Sequence, residues 1–186
     1  MEPVHLTTPL TDEAVGRVAT GNLVLISGVL YTARDAAHER LHRMLQRGDA
    51  LPVDLRGQVI YYCGPTPPRP GRPIGSAGPT TAMRMDVYTP ALLAQGVKGM
   101  IGKGRRGAEV REALRRYRCV YFAAIEGTAA LLGQRVRSAE VVAFADLGPE
   151  AIYRFVVDQF PVVVVNDIHG NDLYEIGRRQ YARPPA

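Results

Sequence analysis

The sequence predicts an α/β protein with a mixed, largely parallel sheet flanked by helices, on the basis of two observations. Short apolar runs rich in Val, Ile, Leu and Tyr alternate along most of the chain with segments whose apolar residues recur at helical spacing. This alternation is typical of parallel strands joined by crossover helices. Several neighbouring runs have no clear helix between them. We therefore expect some antiparallel pairing, or a second, smaller sheet.

Residues 1–63 contain three predicted strands and one predicted helix. A short strand is predicted over 4–8, and the apolar run 23–31 is typical of a strand buried on both faces. A helix with a regular apolar face follows and extends to Arg47, where Gly48 ends it. The next strand, 58–63, ends at a Gly-Pro turn.

Residues 64–79 are dense in Pro and Gly, and so cannot form regular structure. An ordered loop of this length is usually functional, whereas a flexible linker is the alternative. A Gly-Pro turn stands at each end of the segment, which favours an ordered loop held between two elements.

The stretch 78–86 reads Gly-Pro-Thr-Thr-Ala-Met-Arg-Met-Asp, and it predicts a helix that begins at Thr80 or Thr81 and ends near Gly96. Thr80 and Arg84 would then lie one turn apart, beside the free N–H groups of a helix N-terminus. That arrangement can bind an anion. A capped helix with a solvated arginine is the alternative.

The second half continues the alternation of strands and helices. Strands are predicted over 97–101, 119–125, 136–144 and 160–165, and helices over 108–117, 127–132 and 147–155. Gly102-Lys103-Gly104 follows the first of these strands, and its two glycines would let the backbone approach a ligand closely. The spacing is not that of a P-loop.

Length and composition indicate one domain over 1–175, with 1–20 as an N-terminal extension and 176–186 as a loose tail. No run approaches the ~18 apolar residues of a membrane span, and the N-terminus lacks a signal-peptide pattern. Both observations predict a cytoplasmic location. The net charge of +5 is spread along the chain without interleaved aromatics, which argues against nucleic-acid binding.

Few residues have the spacing of metal ligands. His38 and His42 are four apart on the first predicted helix, but no third ligand is near, so we expect no metal there. Cys63 and Cys119 are far apart and outside any C-x-x-C motif, which favours two buried free thiols over a disulfide. Arg34 stands at a strand-to-helix junction, where α/β folds bind ligands; an ion pair with a neighbouring acid is the alternative.

Taken together, these motifs resemble the β subunit of two-subunit class I fumarases and L(+)-tartrate dehydratases, which is also the C-terminal domain of single-chain class I fumarases. The resemblance covers roughly residues 20–175. The matching pieces are the segments 28–38, 62–65, 78–86, 102–104, 147–151 and 167–172. The Pro/Arg-rich segment 66–73 follows no pattern of the family, and Met83 stands where relatives often have a smaller residue.

The resemblance implies a swivelling β/β/α domain that closes over a [4Fe-4S] cluster bound by a partner α subunit and not by this chain. Two α and two β subunits would form a heterotetramer. The implied activity is that of a hydro-lyase, in which substrate oxygens bind one cluster iron that acts as a Lewis acid. A cluster of this kind needs three thiolates, and this chain has two cysteines. The chain alone is therefore expected to be colourless and inactive.

Site residues also carry over from the resemblance. Arg34, Arg84 and Lys103 would bind substrate carboxylates, Gly78 and Thr81 would line the substrate site, and Thr80 would be the catalytic base, with Lys103 also placed in catalysis. We expect these cationic groups and Thr80 to share one cavity. The favoured substrate pair is (S)-malate and fumarate. Tartrate dehydration and a stand-alone, non-catalytic carboxylate-binding module are the alternatives.

Overall fold

The structure is a computed structural model that describes residues 2–125 and 127–182. The strands of this part of the chain form one sheet. They are β1 (Val4–Thr7), β2 (Leu23–Thr32), β3 (Val59–Tyr61), β4 (Gly99–Gly102), β5 (Val120–Ala123), β6 (Val136–Ala143) and β7 (Ile152–Asn166). The α-helices are α1 (Asp12–Gly16), α2 (Asp35–Arg47), α3 (Thr89–Ala94), α4 (Ala108–Tyr117), α5 (Ala129–Gln134) and α6 (Leu173–Tyr181). Two 3₁₀ helices cover Ala82–Met85 and Ala145–Glu150.

The sheet is mixed, as predicted, and it closes on itself. Its strand order is β1-β2-β3-β4-β5-β7-β6, and β1 to β5 pair in parallel. β7 runs antiparallel to β5, β6 and β2. Because β7 pairs with both β5 and β2, the strands β2, β3, β4, β5 and β7 form a five-stranded barrel. The sequence did not predict this closure.

Strand β7 is much longer than predicted. The sequence predicts a helix over 147–155 and a separate strand over 160–165, but the helix is wrong: Ile152 already belongs to the 15-residue β7. The Gly-Pro-Glu that looks like a helix start lies in a 3₁₀ turn, in which Gly148 is non-helical. The β-branched and aromatic residues that follow pair with β2 on one side and β6 on the other.

Helix boundaries agree with the sequence where the capping signals are local. Helices α2 and α4 end at Arg47 and Tyr117 as predicted, and Gly48 adopts the left-handed conformation with φ 73°. The predicted loose tail is wrong over its first part, because α6 continues to Tyr181. The carboxylate of Asp172 caps this helix by accepting from the N–H of Tyr174 at 2.8 Å.

Alternate residues of the barrel strands face two separate cores. In β3, Val59 and Tyr61 pack into the cluster that side chains from all five barrel strands fill. Ile60 packs on the opposite side, against residues of α2, α3 and α4. The barrel interior and the helix layer therefore hold the strands in register. Within residues 2–125 and 127–182, no helix has both the length and the apolar character needed to cross a bilayer.

The Pro/Gly-rich segment 64–79 forms a loop with its own hydrogen bonds. Thr66 and Ser76 pair across it, since the N–H of Thr66 donates to the carbonyl of Ser76 at 3.0 Å. Ile74 is buried in the barrel core, and the N–H of Ala77 donates to the carbonyl of Ala129 at 3.0 Å. These contacts fix both ends of the loop against the barrel and α5.

Candidate functional site

The predicted site residues lie where the parallel strands end. β2, β3, β4 and β5 run in the same direction, so their carboxyl ends meet at one end of the barrel. Arg34 follows β2, and Lys103 follows β4. Ligands of α/β proteins bind at this end of parallel strands. The topology therefore brings two cations that are far apart in sequence to the same end of the molecule.

Backbone hydrogen bonds attach Thr80 to the ends of β3 and β4. Its N–H donates to the carbonyl of Tyr62 at 2.6 Å, and its carbonyl accepts from the N–H of Lys103 at 3.1 Å. The N–H of Ala82 donates to the carbonyl of Lys103 at 2.8 Å, which completes a short parallel bridge between Thr81 and Lys103. Thr80 is thus held in extended backbone next to Lys103.

These bonds contradict the predicted helix over 80–96. Thr81 has ψ 114°, which is non-helical, and a short 3₁₀ helix over Ala82–Met85 precedes the separate helix α3. The predicted anion site at a helix N-terminus is therefore wrong, because the N–H groups of Thr80 and Ala82 are already bonded within the chain. Gly-Pro-Thr-Thr favours a helix start locally, but pairing with the ends of β3 and β4 prevails.

The glycines around Lys103 have a different role from the one predicted. A Cβ at Gly102 would lie 2.8 Å from the ring of Tyr62 and 3.1 Å from the Cβ of Ala82. Gly102 therefore makes room for the chain's own 80–82 segment and not for a ligand. Gly104 has φ 79°, a conformation that favours glycine, and it turns the chain away after Lys103.

Arg34 and Arg84 belong to one cluster of charged side chains. The Nε of Arg84 lies 2.8 Å from Oδ1 of Asp35, and the Nε of Arg34 lies 4.0 Å from Oδ2 of the same residue. Glu150 lies on the other side of Arg34, with Oε1 at 3.6 Å from Nη2. All four side chains are partly exposed. The cluster contains two guanidinium groups, which can each bind a carboxylate bidentately.

Lys103 and Thr81 line a depression of about 450 Å³. Its other walls come from the end of β5, Val163 and Tyr174. Arg34, Thr80 and Arg84 are not part of its lining. Among the described cavities, none is lined by all four predicted residues, so the expected shared cavity is not seen in the described part of this chain. Gly78 lies at the side, where a Cβ would be 3.2 Å from that of Ala129.

Sequence reasoning assigned no role to Arg106. The guanidinium is fully buried, and its Nε donates to Oδ1 of Asp86 at 2.7 Å. Its other nitrogens donate to the hydroxyls of Tyr62 at 3.1 Å and Thr89 at 2.6 Å. The N–H of Gly107 completes the contact by donating to Oδ2 of Asp86 at 2.6 Å. Asp86 ends the 78–86 stretch, so this pair fixes that stretch to the loop that carries Lys103.

Comparison with known proteins identifies the family. A family model described as the fumarase C-terminus matches residues 1–177. The chain belongs to the fumarase C-terminus family.

The relatives fall into two length classes. This chain is 39% identical over 176 residues to fumarate hydratase 1, mitochondrial, of Leishmania major, covering 92% of this chain and 32% of that protein. A Geobacillus stearothermophilus protein provisionally named fumarate hydratase class I is 36% identical, with 92% and 34% covered. The chain therefore spans about a third of these relatives. A Methanocaldococcus jannaschii protein provisionally named L(+)-tartrate dehydratase subunit beta is 36% identical over 94% of this chain and 93% of its own length.

His38 packs beneath the start of α2, next to Arg34. It is buried against the ring of Tyr62, and its Nδ1 lies 2.9 Å from the carbonyl of Arg34, to which the neutral ring donates. Burial lowers the pKa of His38 to about 4, so the ring is neutral at pH 7. Among the described residues, no group of three or more His, Cys, Asp or Glu side chains has the arrangement of a metal site.

The two cysteines of this family member do not fit as cluster ligands. Both are buried and free, and burial raises the pKa of each thiol to about 12. Metal ligation requires the thiolate. The Sγ of Cys119 already donates to the carbonyl of Val97 at 3.0 Å, and Cys63 packs in the barrel core. These thiols have the surroundings of packing residues.

Proposed function

We propose that this chain is the β-type part of an iron–sulfur hydro-lyase that interconverts (S)-malate and fumarate. The observation that carries the proposal is the arginine pair of a fumarase C-terminus family member: Arg34 and Arg84 lie at the carboxyl ends of the strands and share Asp35. Two guanidinium groups suit a substrate with two carboxylates, because each can hold one carboxylate in a bidentate fork.

Each site residue receives a role that its surroundings support. Arg34 and Arg84 bind carboxylates, and Lys103 places a compact positive charge where negative charge grows as the C–H bond breaks. Thr80 accepts the proton that leaves this carbon. The proton acceptor would be the Thr80 alkoxide, which nearby positive charge stabilises, and the backbone bonds of Thr80 hold it beside Lys103. Gly78 and Thr81 form the rim, in agreement with the place of Thr81 in the 450 Å³ depression.

The [4Fe-4S] cluster would belong to a companion α subunit. Class I fumarate hydratases are iron–sulfur enzymes, and the buried thiols of this chain do not fit a cluster. The companion also supplies the missing walls, since the four site residues lie at an open end of the barrel. In this proposal the barrel swivels to close over the companion, in a heterotetramer of two α and two β subunits located in the cytoplasm.

L(+)-tartrate is the second candidate substrate, and one observation favours it. The relative named as a tartrate dehydratase β subunit matches this chain over 93% of its own length, whereas the fumarate hydratases match over about a third of theirs. Tartrate and malate both carry two carboxylates and a 2-hydroxyl group. The arginine pair therefore accepts either, and the companion subunit would contribute to the choice.

The test is co-expression with a neighbouring reading frame that encodes three cluster-type cysteines, followed by anaerobic purification. We expect a brown complex that dehydrates (S)-malate and L(+)-tartrate at different rates, with the higher kcat/KM naming the substrate. A colourless complex with no hydro-lyase activity, or a chain that binds dicarboxylates without any companion, would favour a non-catalytic binding module instead.

A further inference from the structure

Asp35 lies between Arg34 and Arg84, and each of its two carboxylate oxygens lies opposite the Nε of one arginine. Its Oδ1 is 2.8 Å from the Nε of Arg84, and its Oδ2 is 4.0 Å from the Nε of Arg34. The second contact is too long for a hydrogen bond. Both of its atoms, Nε of Arg34 and Oδ2 of Asp35, are buried, and neither has a hydrogen-bond partner among the described residues. One carboxylate therefore forms a close ion pair with Arg84 and a long one with Arg34.

We propose that Asp35 is a positioning residue that holds Arg84, and through it the arginine pair, in the orientation that receives a dicarboxylate. A guanidinium has hydrogen-bond donors at two edges, one at Nε and one formed by its two terminal nitrogens. The Nε of Arg84 lies against Asp35, so the edge formed by the terminal nitrogens is left for a substrate carboxylate. This inference rests on the proposed function and adds the residue that sets the geometry of its binding groups.

The local structure explains why an aspartate occupies this position. Asp35 is the first residue of α2, where a carboxylate is favoured by the helix dipole. Its side chain is short, so a fixed backbone transmits a fixed position to Arg84. The adjacent N–H of Ala36 is bonded to Oε2 of Glu150 at 3.0 Å, which anchors the start of the helix. The carboxylate of Asp35 is thus placed by the helix and not by the arginines it contacts.

The charges of the cluster allow a test based on the direction in which KM changes when Asp35 is neutralised. Two arginines face two acids, Asp35 and Glu150, so these four side chains carry no net charge. If Asp35 only screened the arginines, its neutralisation would raise the positive potential and lower KM for a dianionic substrate. If Asp35 orients Arg84, the same change raises KM. The two roles therefore predict shifts of KM in opposite directions.

The experiment is Asp35→Asn in the reconstituted complex, with Asp158→Asn as the matched control. Asp158 pairs with Arg137 at 2.7 Å on the β6–β7 hairpin and is similarly partly exposed. We expect Asp35→Asn to raise KM for (S)-malate or tartrate about tenfold while kcat changes by less than about threefold. Asp158→Asn should leave both constants unchanged. An unchanged or lowered KM in Asp35→Asn overturns the positioning role.

A second readout does not depend on activity. In ¹⁵N-labelled chain, the Nε–H signal of Arg84, identified by its absence in Arg84→Lys, should exchange faster with water in Asp35→Asn than in wild type or Asp158→Asn. Equal exchange in all three proteins also overturns the proposal. An inert wild-type complex would instead refute the hydro-lyase activity, whereas an active wild-type complex with an unchanged Asp35→Asn variant refutes the positioning role alone.

Discussion

Two arginines of this molecule pair with aspartates through the same nitrogen at almost the same distance, yet their surroundings differ. The Nε of Arg106 lies 2.7 Å from Asp86, and the Nε of Arg84 lies 2.8 Å from Asp35. The side chain of Arg106 is 0% exposed, whereas that of Arg84 is 53% exposed. The terminal nitrogens of Arg106 donate to hydroxyls inside the protein.

The difference separates a structural arginine from one that is available to a ligand. A buried charge is tolerated only when its hydrogen-bonding groups are satisfied, and Arg106 meets that condition with Asp86, Tyr62 and Thr89. A half-exposed guanidinium has no such requirement, because water serves its remaining N–H groups. Exchange of that water for a carboxylate is therefore inexpensive at Arg84 and impossible at Arg106 without unfolding.

The largest expected effect follows from removing the buried charge. Arg106→Met leaves Asp86 and two buried hydroxyls without their partner, so the free energy of unfolding should fall by about 3–5 kcal/mol. Urea denaturation followed by circular dichroism measures this change. Arg137→Met, which removes an exposed partner of Asp158, should have no measurable effect. A loss below about 1 kcal/mol for Arg106→Met would contradict its assignment as a structural anchor.

The next effect concerns pH and His38, which contacts both regions through Tyr62 and Arg34. Its pKa is about 4 in the folded protein and 6.5 when exposed, so the unfolded state binds the proton more readily. Stability is then complete above pH 6.5 and falls as pH decreases toward 4, by about 3 kcal/mol in total. Urea midpoints between pH 7 and pH 5 measure the slope, since few carboxylates titrate there. His38→Gln should flatten it and His42→Gln should not; a flat wild-type profile would refute this origin.

The exposed arginine should affect catalysis and leave stability unchanged. Arg84→Ala removes a bidentate carboxylate contact, so kcat/KM of the reconstituted complex should fall about a hundredfold, through a higher KM and a lower kcat. The urea midpoint of the isolated chain should stay the same. Arg43→Ala, which removes an exposed arginine of α2 paired with Glu39, is the control. Unchanged kinetics for Arg84→Ala would remove this residue from the site.

The smallest expected effect tests whether the shape of the cationic group at position 103 matters. Lys103→Arg keeps the positive charge but replaces a compact ammonium by a wider planar head, and kcat should fall about tenfold. The chain has one other lysine, Lys98, whose Nζ donates to the carbonyl of Tyr117 at 2.9 Å. Lys98→Arg should leave kcat unaltered. A fully active Lys103→Arg complex would show that the site needs only a positive charge at this position.

Features that depend on neighbouring residues, such as helix ends and positions after strands, could be predicted from the sequence. The end of helix α2 at Arg47 is predicted because Gly48 follows a regular apolar face. The position of Arg34 and Lys103 after strands was also predictable, since β-rich runs precede both. The mixed sheet followed from missing helices between strands.

Long-range pairing was not predictable from one sequence. The barrel closes because β7 pairs with β2 some 130 residues away, and the same pairing turned a predicted helix near Ile152 into strand. The 80–82 segment is extended because it forms backbone hydrogen bonds with Tyr62 and Lys103. The burial of Arg106 carries no local signal because its partner Asp86 is 20 residues earlier. In each case a distant partner overrode the local preference.

The most direct test of the central claim is a titration of the purified cluster-bearing companion with this chain under anaerobic conditions, followed by hydro-lyase rate. If this chain supplies the carboxylate-binding half of a shared site, the companion alone has no activity, and the rate rises to a plateau at one chain per companion. Arg84→Ala chain should reach the same stoichiometry at a far lower plateau. A companion that is fully active by itself, or a rate that does not respond to added chain, would contradict the account.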